Sequence, residues 1–156
     1  MTYVIGIDPG LEGAIVLLRD NQLKEVADMP TMAAGKHKRQ VNAAQVRDIL
    51  QGYVESADHE KIEIHLEQVS ARPGQGVTSM FNFGVSYGII LGVAAALLIP
   101  VILCPAAKWK KRIGLLGSDK DMARTKAQML YPDADLALKK DIGRADAILI
   151  ARYGGE

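Results

Sequence analysis

Tyr3-Val4-Ile5-Gly6-Ile7-Asp8-Pro9-Gly10 is a short β-forming run that ends on a carboxylate and a turn dipeptide. Working outward, residues 14–18 and 23–27 repeat the β-rich character, with Asp20-Asn21 as the second turn. Together the three runs predict an antiparallel meander. Ile62, Ile64 and Leu66 alternate with Glu63, His65 and Glu67, which predicts a fourth strand ending on Glu67. If that strand lies beside the first and parallel to it, Asp8 and Glu67 emerge at one sheet edge, where α/β proteins build their sites.

Helical signals fill the intervals. Asn42 suits a cap for a helix to about residue 54, with Val46, Ile49, Leu50 and Tyr53 as its apolar stripe. Residues 31–40, with Gly35, Lys36, His37, Lys38 and Arg39, read as a mobile basic loop. Ser118 is placed to cap a helix to about Leu130, with Asp121 completing a capping-box-like start. A last helix is expected over 143–153. The element order predicts an α/β layered domain with a mixed five-stranded sheet flanked by helices, and one such domain over residues 1–156.

The chain has 156 residues, 49% of them hydrophobic and 24% charged, enough for one domain with a core and unlike a disordered chain. A single cysteine, Cys104, excludes a disulfide framework and a cysteine-built zinc site; it reads as a core thiol in a reducing compartment. The first residues lack a signal-peptide pattern, so a cytoplasmic location is expected. No charged residue falls between Arg72 and Lys108, and Gly84, Gly88 and Gly92 recur at a spacing that lets helices approach closely. Pro100 interrupts this run, and Ser79, Asn82, Ser86 and Tyr87 recur along it, so a buried helix ending near Leu98 and a strand over 101–103 are expected rather than a membrane span.

Three carboxylates sit at the ends of apolar elements. Asp146, inside Gly143-Arg144-Ala145-Asp146-Ala147-Ile148, falls on or beside a buried helix face, where an unpaired aspartate is costly. A divalent cation held by Asp8, Glu67 and Asp146 supplies the partner, and hard oxygen ligands suit Mg²⁺ or Mn²⁺. Taken singly, Asp8 also suits a turn start, Glu67 a solvated strand end and Asp146 a charge complementing a helix dipole. The spacing alone leaves both readings open. His37, His59 and His65 show no ligand spacing, and His65 reads as a satisfied edge histidine.

Ile5-Gly6-Ile7-Asp8-Pro9-Gly10, Leu66-Glu67-Gln68-Val69, Ser79-Met80-Phe81-Asn82-Phe83-Gly84 and Arg144-Ala145-Asp146-Ala147 resemble, in this order, the RuvC-type Holliday junction resolvases, most closely their phage and prophage relatives. The resemblance implies an RNase H-like three-layer fold, a homodimer, and nicking of four-way or branched DNA with Mg²⁺ or Mn²⁺, in which Asp8, Glu67 and Asp146 match the catalytic and metal-binding acids. Phosphodiester hydrolysis by two ions about 4 Å apart is the chemistry expected. The chain departs from the pattern at Gly143, where an acid or histidine is usual, and at Ile142, where phage-like relatives often carry histidine. Asp141, an alternative fourth ligand, suits a helix N-cap equally. Ser70 occupies the place of an aromatic wedge, and Phe81 and Phe83 are expected in the core.

DNA contact must come from local charge, because the net charge is only +1. From Lys108 to Lys126 seven basic residues face two acidic ones; Lys108, Lys110, Lys111 and Arg112 surround Trp109, which either stacks on a nucleotide or anchors a helix. Lys36, Lys38 and Arg39 form a second patch, Lys139, Lys140 and Arg144 a third, and Arg72 and Gln75 follow Glu67 in a loop placed for a junction centre. The competing readings are a junction-binding protein without catalysis, a less selective nuclease acting on branched DNA, and an Asp-x-Gly nucleotide-binding domain of the actin and sugar-kinase type. The last needs two such domains to enclose a nucleotide.

Overall fold

The computed structural model of the protein describes residues 1–155. Three antiparallel strands, β1 (Thr2–Asp8), β2 (Ala14–Arg19) and β3 (Gln22–Asp28), form the expected meander. β6 (Lys61–Gln68) runs parallel to β1, and β7 (Val101–Pro105) runs parallel to β6, giving the sheet order β3-β2-β1-β6-β7. The sheet is mixed and five-stranded, as the sequence predicts.

Two apolar layers sandwich it. Tyr3, Ile5, Ile7, Ile64 and Leu66 face a core shared with α1 (Ala43–Ala57) and α2 (Val77–Ala96). Val16, Leu18 and Cys104 face the other layer, made by α3 (Ala106–Arg112), α4 (Lys120–Leu130) and α5 (Ile142–Tyr153). The alternation of side chains along β1 and β2 sorts the two sets. α5 lies hard against β1 because Gly6 has no side chain: a Cβ there would collide with the Ala147 carbonyl oxygen.

The differences from the sequence reading have physical causes. Residues 31–40 are not a mobile loop: β4 (Thr31–Ala33) and β5 (Arg39–Val41) pair as a small hairpin, and Arg39 Nε donates to Thr31 Oγ1 at 2.9 Å. Three-residue strands are too short to show periodicity. Asp119, not Ser118, caps α4, its Oδ1 accepting from the Asp121 and Met122 backbones. The basic stretch at Trp109 is the helix α3.

α2 buries only Ser86, Ile90 and Ala94 fully, so it is not a buried helix. By length and hydropathy α2 is long and apolar enough to cross a membrane. Its inner side nonetheless joins the α1 core, and Ser86 Oγ accepts from the Val41 backbone at 3.3 Å. Phe81, expected in the core, is 70% exposed, while Phe83 is half-buried. His65 lies on an interior strand and is buried: Nδ1 contacts the Ala151 carbonyl at 3.0 Å and Nε2 the Glu63 carboxylate at 3.2 Å.

Candidate active site

The register places the first two acids together. Ile7 of β1 pairs with Leu66 of β6, so Asp8 and Glu67, one residue on, leave the sheet side by side at the carboxyl ends of parallel strands. Gly10 donates its N–H to Asp8 Oδ1 at 3.1 Å, fixing the carboxylate over the turn. Asp146 comes from the second turn of α5, the helix that Gly6 admits against β1.

The three carboxyls feel one another. Burial first, then the Asp8 charge, raises the pKa of Glu67. Asp146 is pushed up to about 7 by burial, with the Asp8 and Glu67 charges adding to it. Burial also raises Asp8, opposed by the Gly10 hydrogen bond and by the Lys110 and Lys120 charges. Such crowding of anions is a demand for positive charge. Lys110 answers it in part, lowering all three. Sequence reasoning put Lys110 among the DNA contacts and missed its place beside the acids, because the helix that carries it was not legible.

A cleft of about 310 Å³ opens at Asp8 and Asp146 and is edged by Lys120, Lys139 and Lys140. A second, of about 230 Å³, runs from Pro9 and Leu11 to Lys38, Arg39, Ser79 and Asn82. Alternate residues of the turn after β1 thus line the two clefts, and each carries basic side chains. Lys36, Lys108 and Lys111 are exposed. In the exposed loop after Glu67, the Gln75 amide oxygen accepts from the Arg72 backbone at 3.0 Å, and the Arg72 charge lowers the pKa of Glu67.

Several expected site residues are used otherwise. Asp141 does not join the acid cluster: it is buried, its Oδ2 accepts from the Leu138 backbone at 2.8 Å, and its Oδ1 lies 3.6 Å from Arg144. Arg144 is not free for DNA, since its guanidinium pairs with Asp28 at 2.7 Å and Asp135 at 3.1 Å. Arg112 donates to the Tyr153 carbonyl at 2.8 Å, tying α3 to the end of α5. Trp109 is buried and stacks on nothing in solvent. Gly143 has a steric reason: a Cβ there would collide with the Glu12 carbonyl oxygen in the turn between β1 and β2. Burial pushes the Cys104 thiol up to about 11, as suits a core cysteine.

Three hard carboxylates with raised pKa values fit a divalent cation by charge and donor type. Among the described residues, no three acidic, histidine or cysteine groups already converge as a ligand cage. Binding a cation would therefore require the side chains to turn inward. The raised Asp146 also has a linkage consequence. Its folded pKa exceeds the unfolded one, so the folded state holds the extra proton and stability falls as pH rises from about 4 to 7. Thermal melts in chelator should show a loss of about 1–2 kcal/mol, after allowing for solvent screening, that Asp146→Asn removes and Mg²⁺ reverses. A pH-independent melting temperature would contradict the crowding.

No family model matches the chain. The Holliday junction resolvase MOC1, chloroplastic, of Chlamydomonas reinhardtii is 36% identical over 84 residues, which is 52% of this chain and 10% of that protein. The chain thus spans about a tenth of that relative. The Thermus thermophilus RuvC structure superposes with a TM-score of 0.55 at 16% identity, covering 96% of this chain and 90% of that one. T. thermophilus RuvC in complex with Holliday junction substrate gives 0.58 at 15%, covering 97% and 90%. With its β1–β6 core, its acid-bearing strand ends and α5 laid across Gly6, the chain has the RuvC fold, an RNase H-like architecture.

Proposed function

We propose that the chain is a metal-dependent, structure-selective endodeoxyribonuclease that nicks four-way or branched DNA. The observation that carries this reading is the set of three buried carboxyls, Asp8 and Glu67 at neighbouring strand ends and Asp146 on α5 in the same cleft as Asp8, all with raised pKa values. Similarity to MOC1 and to the RuvC fold supports it. Asp8, Glu67 and Asp146 would hold Mg²⁺ or Mn²⁺, and Asp141 is left out because Arg144 and Leu138 already occupy it. Bound there, the cations supply an activated water and charge stabilisation for phosphodiester hydrolysis.

The chain's own residues do the rest. Asp8, pinned by Gly10, lines the cleft that also holds Asp146 and so would face the phosphate to be cut. Lys120, Lys139 and Lys140 on one cleft and Lys38 and Arg39 on the other grip flanking phosphates. Lys110 offsets negative charge at the acids before substrate arrives.

The partner reading is a homodimer built on α2. Val77 is 87% and Phe81 70% exposed, and Gly84, Gly88 and Gly92 present open backbone along the same helix. This charge-free face suits close packing against a second copy, so that two sites act on two strands. Phe81→Glu is expected to shift the protein from dimer to monomer in light scattering and to convert paired cuts into single nicks. A monomeric wild-type protein would overturn the dimer.

The test of function is cleavage of a synthetic four-way junction against matched duplex with Mg²⁺, Mn²⁺ or EDTA. Metal-dependent cuts confined to the junction are expected. Tight junction binding without cutting would favour the non-catalytic reading, to which the displaced Asp141 and the blocked Gly143 point. Absence of binding would overturn both.

A further inference from the structure

Trp109 is the one tryptophan of the chain and is only 1% exposed, yet its indole Nε1–H has no hydrogen-bond acceptor. An orphaned buried donor is costly, and native proteins rarely leave one without a purpose. Its neighbourhood is fixed by the sheet. Glu67 pairs in register with Cys104, the next residue ends β7 at Pro105, and Trp109 follows one turn into α3. The indole therefore lies beside the Glu67 carboxyl, near enough to favour its anion yet outside hydrogen-bond geometry. Lys110 Nζ stands 5.2 Å from the centroid of the same ring.

We infer that Trp109 is a positioning residue for Glu67: its indole N–H donates to one carboxylate oxygen when Glu67 turns inward, leaving the other oxygen for a cation. This rests on the metal-site reading above. The orphaned donor thereby gains an acceptor, and the acids gain a fixed member. A glutamate side chain is flexible, and one charge-assisted hydrogen bond from a rigid, buried ring selects among its orientations. Partners of metal ligands that act in this way typically change metal affinity by about 10- to 100-fold when lost.

Trp109 reports on its own role, because its emission has no competing tryptophan. Mg²⁺ titration of the wild-type protein should give a saturable change in tryptophan emission, matching the binding curve from calorimetry. In Glu67→Gln the emission change should be lost while calorimetry still detects residual binding at Asp8 and Asp146. Trp109→Phe, if folded by circular dichroism, should bind Mn²⁺ at least about tenfold more weakly. Should that variant fail to fold, the wild-type and Glu67→Gln titrations decide alone. Mg²⁺ binding by calorimetry with unchanged emission would overturn the inference, as would wild-type Mn²⁺ affinity in Trp109→Phe. Absence of any divalent-cation binding to the wild type would overturn the metal site itself and this inference with it.

Discussion

Asp8→Asn should bind a four-way junction as tightly as the wild type and cut it at least about 10³-fold more slowly. Replacing one carboxylate oxygen by an amide keeps the shape and the oxygen that accepts from Gly10, so the turn survives. What goes is one negative charge in the cleft shared with Asp146. Charge stabilisation by bound metal is worth several kcal/mol, and each 1.36 kcal/mol is tenfold in rate. The same substitution removes a repulsive neighbour of Asp146 and Glu67, so their pKa values should fall toward normal. Single-turnover cleavage and gel-shift binding on one junction separate the two effects. Cleavage within about tenfold of wild type would remove Asp8 from the chemistry.

Gly143→Asp puts an acid where the sequence resemblance leads one to expect it, and it should fail on stability before chemistry is reached. The new Cβ would fall on the Glu12 carbonyl oxygen, with Gly13 Cα also in its way. These atoms belong to the backbone of the turn that carries Asp8, so they cannot swing aside as a side chain does. Overpacking of this kind costs about 3 kcal/mol or more, which lowers the melting temperature by roughly 6–12 °C in a chain of this size. Any relief would come by displacing the turn, and Asp8 would move with it. A melting temperature within about 2 °C of wild type, with faster cleavage, would show that the turn yields freely.

The sheet was legible because its signals are local. β1 and β6 each carry an apolar face with two-residue spacing, and Asp8 and Glu67 end them. Asp146 followed from the helical pattern of α5. Charge pairing was not legible. Arg144 reads as a basic residue beside the site, yet one of the aspartates that occupy it, Asp28, lies 116 residues away in the chain. Arg124 likewise spends its guanidinium on Asp121 and on the Leu136 and Ala137 carbonyls. Spacing cannot show which cations a fold has already neutralised. α3 was hidden for a different reason: seven residues with one large apolar side chain give no helical period to read.

The short helix α3 fixes how far its outward cations stand from the acids. Trp109 is locked in the core, Lys110 faces the acids, and Lys108 and Lys111 point to solvent from the same two turns. A two-turn helix held at its middle has no internal play, so the outward cations stand at a set distance from the acids. In the proposed nuclease, α3 would set the spacing between a phosphate held by these cations and the one cut at the acids. Adding one residue directly after Trp109 would rotate Lys111 relative to the anchored ring by about 100° and carry it along the axis by about 1.5 Å.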